Sequence, residues 1–554
     1  MQTPVEIGTR PQTGQIMDAP VPDGCGGQAE TSCACGGHAA ERPAPEPVPE
    51  EPIDISTRTL RASSYVIYVD LPRNDREMLL VHGYTGAFDK VSHRIATFVR
   101  AREDRRAPKP LYGDWTPAPA VDEGTELPDS YISVLIRRGY LTYLTREEEL
   151  RRFTAIADDL HARSNYPGYI IMPTYDCNLR CFYCFQDHMR TNPSFAYLLK
   201  RMTIPMADRI FDAMPQIEAR HGIAPESKYA RPITLFGGEP LLRDNRDLIE
   251  HILARAHGGG TRAISAISNA TDLDAYADLL GPEGIEQIQV TLDGIPDEHD
   301  KRRVYADGTG SFERIARNIS MALEHGTQIS ARMNIDRRNI SELPQLARIF
   351  IEHGWTENPR FVAYTAPIHA SNDKTERATT FSSWELDQAL DELRASDPVM
   401  EVIGRPDDNL QRRARSIFDA GGTMGGQPTF CGAHSGMYVI DRFGDLYACW
   451  ERTGNEKVRI GQIKPDATVE MDAVNDSMWR TRTVTSNRAC AQCRYALFCG
   501  GGCAVLAEGR RGRIDTNFCD GYGERFRAMV AEAYGDFKDG KVVTAGAAGP
   551  MMNM

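Results

Sequence analysis

From Gly168 to Tyr364 the chain alternates short apolar runs with longer stretches of helical period. The strand candidates are Gly168–Pro173, Pro232–Phe236, Ala263–Ser268, Gln287–Leu292, Gln328–Ile335 and Arg360–Tyr364. Ala207–Arg220, Asp244–His257 and Gly310–His325 read as helices between them. Parallel strands cannot be joined by a tight hairpin; they need a crossover of about a dozen residues or more, usually a helix. The alternation therefore predicts an α/β domain with a parallel sheet. In parallel α/β folds functional groups gather at the C-terminal ends of the strands.

One such end carries Cys177-Asn-Leu-Arg-Cys181-Phe-Tyr-Cys184, directly after the strand end Ile170–Thr174. Three thiolates in the order C-x3-C-x2-C suit a [4Fe–4S] cluster with one iron left open to a substrate or cofactor. A cluster held wholly by protein takes four cysteines, and structural zinc takes four ligands. Zinc, or core thiols without a partner, are the alternatives for this triplet taken alone. The whole chain has 13 cysteines in 554 residues and no apolar N-terminal export signal. That combination reads as metal or redox chemistry in a reducing cytosol, not as a disulfide frame. A net charge of −13 argues against non-specific nucleic-acid binding, and no long uncharged apolar run suggests a membrane span.

The triplet, with Tyr183 before its third cysteine, resembles the signature of the radical S-adenosylmethionine (radical SAM) enzymes. The resemblance implies a partial (β/α)6 barrel. It also implies an open iron that chelates the amino and carboxylate groups of SAM, and reductive cleavage of SAM to methionine and a 5′-deoxyadenosyl radical. Gly237-Gly238-Glu239-Pro240 follows the second strand. Glycines there permit close backbone approach to a small ligand, and a carboxylate accepts from an amine. The family uses this motif for the methionine amino group of SAM. Ser268-Asn269-Ala270-Thr271 resembles the family's ribose-side Thr-Asn-Gly segment, with Ala270 in place of glycine. Thr291-Leu-Asp-Gly294, followed by His299, Asp300 and Arg303, resembles the segment of peptide-modifying members. Arg332 is a candidate partner for the SAM carboxylate or for an internal salt bridge.

The C-terminal third carries Cys431, Cys449, Cys490, Cys493, Cys499, Cys503 and Cys519, with Gly444 between the first two and Gly500-Gly501-Gly502 inside the dense part. This order resembles the seven-cysteine SPASM domain, which holds auxiliary Fe–S clusters. The resemblance assigns Cys490, Cys493, Cys499 and Cys519 to an outer cluster and Cys431, Cys449 and Cys503 to an inner one. The inner iron without a cysteine is left open, or recruits His434, Asp441, Asp445, a thiolate of the substrate, or a thiol of the chain's own N-terminus. In sulfatase-maturing relatives an acid follows the second of these cysteines; here Trp450 stands there and Glu451 comes next.

The expected organisation is a disordered tail over 1–58, with Cys25, Cys33 and Cys35 near His38, and a small α+β domain over 63–146. The small domain is expected to be winged-helix-like and to serve peptide recognition or to cap the core. The radical SAM core spans 164–366, a bridging segment 367–430, the auxiliary-cluster domain with a C-terminal helix 431–537, and a second tail 538–554. Within the small domain Tyr65–Leu71 and Arg76–His82 read as strands, Val91–Arg102 and Asp129–Arg138 as helices, and Gly139–Tyr143 as a closing strand. The function implied is modification of a polypeptide, foremost a ribosomally made precursor peptide, through a thioether, a carbon–carbon crosslink or side-chain oxidation. An electron donor such as flavodoxin or ferredoxin is implied with it. The alternatives are a formylglycine-generating enzyme and a non-catalytic Fe–S carrier or assembly protein.

Overall fold

The structure is a computed structural model and describes residues 55–103, 126–227, 229–262, 264–369, 375–405 and 409–541. Cys25, Cys33, Cys35 and His38 lie outside these residues, as does nearly all of both expected tails.

The first described sheet is an antiparallel meander of β1 (Val66–Leu71), β2 (Asn74–His82) and β3 (Phe88–Ser92). The helix expected from Val91 starts later, as α1 (His93–Ala101), because Phe88–Ser92 pairs with Glu77–Val81 of β2. Ser92 ends the strand and caps the helix, its Oγ accepting from the Ile95 amide. After α2 (Asp129–Arg137), Leu141–Thr142 returns to pair with Arg61–Ala62. One face of the meander, with Val66, Met78, Leu80 and Val91, is covered by α1 and α2. Then α3 (Arg146–Arg163) begins at a capping box of Thr145 and Glu148.

The expected alternation follows. The parallel strands are β4 (Gly168–Ile171), β5 (Ile233–Leu235), β6 (Ile264–Ser268), β7 (Ile285–Thr291), β8 (Gln328–Ile335) and β9 (Phe361–Pro367), hydrogen-bonded in that order. Helices α4 (Ile204–Arg220), α5 (Arg246–Gly258), α6 (Phe312–Glu324) and α7 (Leu343–Glu352) fill the crossovers after β4, β5, β7 and β8. The β6–β7 crossover is a run of 3-10 turns, Leu273–Leu279. Ile170, Leu235, Ala266, Val290, Ala331 and Met333 are fully buried, as strands covered on both faces require. The result is an α/β protein with a large, mostly parallel sheet, consistent with a radical SAM partial barrel.

The segment after β9 is packed into both cores rather than spanning between them. Helix α8 (Ser383–Ser396) places Leu386 and Leu390 in the barrel core. Helix α9 (Asn409–Ala420) and the last helix, α10 (Tyr522–Lys538), cover the second face of the small meander through Leu410, Ala414, Phe526, Met529 and Val530 against Ile67, Val69, Leu79 and Val81.

A feature without local sequence signal joins the C-terminal region to the barrel. Strand β10 (Met437–Ile440) pairs in parallel with β4, Met437 opposite Gly168 and Ile440 opposite Ile171. Strands β11 (Asp445–Tyr447), β12 (Gly461–Ile463) and β13 (Val469–Met471) continue antiparallel, so one sheet of ten strands runs through both regions. No described helix is long and apolar enough to cross a membrane.

The small meander is also tied to the dense cysteine segment. The Tyr65 hydroxyl donates to the Ala491 carbonyl at 2.6 Å, and Arg494 Nη1 donates to the Val66 carbonyl at 2.6 Å. Tyr65→Phe leaves a buried carbonyl unpaired, at a cost of about 1–3 kcal/mol. Hydrogen exchange should quicken in Val66–His82 and in Arg488–Cys499 together. Unchanged exchange in both segments would refute the tie.

Candidate functional site

The loop after β4 carries the three cysteines, and its backbone is held by the loop after β5. The Gly238 amide donates to the Thr174 carbonyl at 3.0 Å, and the Glu239 amide to the Asp176 carbonyl at 2.8 Å. A Cβ on Gly237, whose φ is +149°, would lie 2.4 Å from the Thr174 oxygen; one on Gly238 would lie 2.2 Å from that of Asp176. The motif on its own suggests glycines that open the backbone to a small ligand. Their bare faces are instead filled by the cysteine loop itself.

Glu239 is fully buried. It accepts from Ser268 Oγ at 2.7 Å, from the Asn269 amide at 2.6 Å and from the Leu241 amide at 2.9 Å. Burial pushes its carboxyl up to about 7 against the pull of those donors. Ser268 and Asn269 are thus brought to Glu239. The side-chain amide of Asn269 also approaches Cys177 Sγ at 3.6 Å. Ala270 sits at φ +61°, the left-handed conformation for which glycine is favoured, so the substitution noted in the sequence is accommodated at some backbone cost.

Around the triplet the structure adds cations that spacing did not reveal. Arg190 Nη2 donates to Cys184 Sγ at 3.0 Å. Arg303 bears on Cys181 and donates to the Tyr183 hydroxyl at 2.7 Å. That hydroxyl donates to Asp293 and also accepts from Asn334 Nδ2 at 3.2 Å. The Tyr183 phenol is therefore engaged in a buried network with the Asp293 and Arg303 of the recognised segment. Thr291 and Arg332 are register partners on β7 and β8. Arg332 Nε donates to Asn334 Oδ1 at 3.0 Å, and its charge bears on Glu451; it is not among the hydrogen-bond partners of Glu239, Ser268 or Asn269.

All ten described cysteines are free thiols. Their mutual electrostatic influence sorts them into three groups. Cys177 feels Cys181, and Cys181 feels Cys184. Cys431, Cys449 and Cys503 bear on one another, as do Cys490, Cys493, Cys499 and Cys519. Burial pushes Cys177 and Cys490 up to about 12, and Cys181, Cys431 and Cys493 up to about 11. Without metal these five favour the thiol. Among the described residues no three His, Cys, Asp or Glu side chains converge on a point suited to a single metal ion. An all-thiol donor set, buried or half-buried, free of disulfides and flanked by arginines, fits iron–sulfur groups.

The candidate fourth ligands of the inner group are otherwise engaged. His434 is fully buried; its Nδ1 donates to the Trp479 carbonyl at 3.0 Å, and its Nε2 lone pair accepts from Arg482 Nη1 at 3.1 Å. Asp441 accepts from the Tyr175 hydroxyl at 2.8 Å and from the Phe443 and Asp445 amides, while Asp445 pairs with Arg459 at 2.9 Å. No lone pair of His434 remains for iron, and both aspartates belong to the β10–β11 turn. Glu451 is the carboxylate whose charge bears on Cys449 and Cys503.

Residues 171–350 match the Radical SAM superfamily. Mycofactocin maturase MftC of Mycobacterium tuberculosis (strain ATCC 25618 / H37Rv) is 24% identical over 348 residues, 60% of this chain and 76% of its own. Fe-coproporphyrin III synthase of Methanosarcina barkeri (strain Fusaro / DSM 804) is 24% identical over 380 residues, 64% of this chain and 87% of its own. Among solved structures, Streptococcus suis SuiB bound to precursor peptide SuiA covers 83% of this chain and 98% of its own, with a TM-score of 0.44 at 14% identity.

Gly502 joins two cysteine groups under strain that only glycine tolerates. Its φ is +74°, and a Cβ there would lie 1.9 Å from the Phe518 carbonyl oxygen. Gly502→Ala should lower the unfolding free energy by about 2–4 kcal/mol, from backbone strain and overpacking together. Gly509→Ala, in the helix Ala504–Arg511 with open space around the new methyl, should be neutral or stabilise by about 0.5–1 kcal/mol. Denaturant melts of both variants would check this; equal effects would count against it.

Proposed function

The chain is a radical SAM enzyme, and we propose that it removes a hydrogen atom from a polypeptide, foremost a ribosomally made precursor peptide, to form a thioether, a carbon–carbon crosslink or an oxidised side chain. The observation that carries this reading is the grouping of ten cysteines as three, three and four, with the first group on the barrel's leading loop. A [4Fe–4S] cluster held by Cys177, Cys181 and Cys184, with SAM, supplies the hydrogen-abstracting radical when both are bound and an electron donor such as flavodoxin or ferredoxin serves it. Cys490, Cys493, Cys499 and Cys519 would hold an auxiliary cluster, and Cys431, Cys449 and Cys503 a second. These regions correspond to the proposed core, 164–366, and auxiliary domain, 431–537, with 63–146 as the peptide-recognition module. Similarity to a protein named as a maturase supports the substrate class.

The chain's own residues have definable tasks. Glu239, held by Ser268 and Asn269, receives an amino group. Arg190 and Arg303 offset the charge of the deprotonated cysteines. The Tyr183–Asp293–Arg303 network fixes the loop between the second and third cysteines. Thr291 and Arg332 remain candidates for polar contact with cofactor or substrate. With His434 engaged, the open position of the inner group is left to Glu451, to a thiol of the chain's own N-terminus, or to a thiolate of the substrate, a soft donor. Glu451 also favours a second reading, oxidation of a Cys or Ser to formylglycine with this carboxylate as base, although Trp450 holds the position where sulfatase-maturing enzymes carry an acid. The reading as a non-catalytic Fe–S carrier is set aside.

Anaerobic protein with reconstituted iron, given SAM and dithionite, should release 5′-deoxyadenosine. Cys181→Ala should abolish that release. Cys493→Ala should retain part of it while losing peptide modification. Identical behaviour of two folded, iron-loaded variants would remove the division between the groups.

Glu239 has a folded value near 7, raised above its ordinary 4.5. An amine beside it lowers that value, so ligand binding expels its proton. SAM affinity should therefore weaken as pH falls below about 7, by up to about tenfold per pH unit. Calorimetric titration of Glu239→Gln should show weaker binding without this component of the slope. Parallel slopes for parent and variant would exclude the assignment.

A further inference from the structure

Arg482 lies between the two groups of C-terminal cysteines, and nothing in the barrel chemistry uses it. Its side chain is buried. Nε donates to the Ile514 carbonyl at 2.6 Å, and Nη2 to the carbonyls of Thr516 at 2.8 Å and Gly501 at 3.3 Å. Nη1 donates to His434 Nε2 at 3.1 Å. Every acceptor is uncharged, since the imidazole gives its other proton to Trp479. Gly501 lies between Cys499 and Cys503, and a Cβ on it would stand 3.7 Å from Cys490 Sγ; His434 lies three residues beyond Cys431. The guanidinium thus contacts the frame of both groups, and its charge bears on Cys431 and Cys503 on one side and on Cys490 and Cys499 on the other. The other nearby cations are not shared in this way: Arg480 bears on Cys431, and Arg511 on Cys490 and Cys519. The carboxylate within its electrostatic reach, Asp515, is half exposed and paired with Arg513.

An arginine stays protonated in proteins, and a buried cation without a counter-charge is costly. Iron–sulfur groups bound by thiolates are anionic, more so when reduced, and net charge and hydrogen bonding set their potentials. We propose that Arg482 is a shared counter-ion for the two auxiliary clusters, raising the reduction potential of both and screening their mutual repulsion. This rests on the reading of the seven C-terminal cysteines as ligands of two clusters.

The test removes the barrel's iron site by Cys177→Ala, Cys181→Ala and Cys184→Ala in the full chain, so that remaining iron is auxiliary. Iron and sulfide are assayed after anaerobic reconstitution, and midpoint potentials are read by electron paramagnetic resonance during reductive titration. Arg482→Gln should shift both potentials downward, and Arg482→Lys should restore most of the shift. A Gln variant that fails to load while the Lys variant loads at the parent's potentials also supports the counter-ion. Unchanged potentials in a loaded Gln variant, a shift confined to one cluster, or failure of both variants to load would overturn it, the last by showing a merely structural role. Absence of iron from the parent itself would instead end the two-cluster reading on which the inference stands.

Discussion

The parallel pairing of β10 with β4 is the contact on which the rest of the arrangement depends. It spans four residue pairs. Without it β4 would be an edge strand, and the loop bearing Cys177, Cys181 and Cys184 would hang from an exposed rim. With it, the hairpin leading from Cys431 to Cys449 becomes part of the barrel's own sheet. The Tyr175–Asp441 bond then braces the cysteine loop against the hairpin turn, two residues before its first ligand candidate. The positions of two cysteine groups are thereby set by one set of ladder hydrogen bonds rather than by a flexible tether.

Charge balance is the second theme. Buried thiols resist ionisation, and of the arginines around them Arg303 has a buried carboxylate partner, Asp293 at 4.0 Å, whereas Arg482 has none among its hydrogen-bond acceptors. Arg190 faces Cys184, Arg303 shares a phenol with Asp293, and Arg482 meets only neutral acceptors. Metal-free protein must hold either neutral thiols beside buried cations or thiolates in a dry interior. Iron–sulfur binding at the proposed ligands would offset both costs, and would thereby link folding to metal loading in this chain.

Much of the barrel was legible because each strand and helix carries its own period, and because the three cysteines and Gly237–Pro240 sit at successive strand ends. The resemblance assigns the C-terminal cysteines to two groups, and in the structure the charges of Cys431, Cys449 and Cys503, and those of Cys490, Cys493, Cys499 and Cys519, bear on one another. Other features needed coordinates. The β4–β10 ladder joins segments far apart in sequence, and parallel pairing leaves no turn between them to recognise. Phe88–Ser92 is five residues running straight into a helix, so its strand period is too short to stand out. His434 looked like a ligand because histidines beside cysteines often are; both its nitrogens are occupied by groups, Trp479 and Arg482, that spacing could not place. The glycines before Glu239 do serve close approach, but what approaches is the chain's own loop.

The covering of β1 and β2 by α10 also sets an order of events during synthesis. Ile67, Val69, Leu79 and Val81 present an apolar face whose cover includes Phe526, Met529 and Val530. Some 440 residues (522 − 82) separate the end of β2 from the start of α10. At ~5–20 residues per second the ribosome takes roughly 20–90 s to traverse them. Once α1 and α2 are made one face is closed by its own helices, while the other stays uncovered until α9 emerges and is fully covered only with α10. A chaperone that shields short apolar sheet faces therefore has a defined window on this chain, opening early in translation, narrowing when α9 is made and closing with α10.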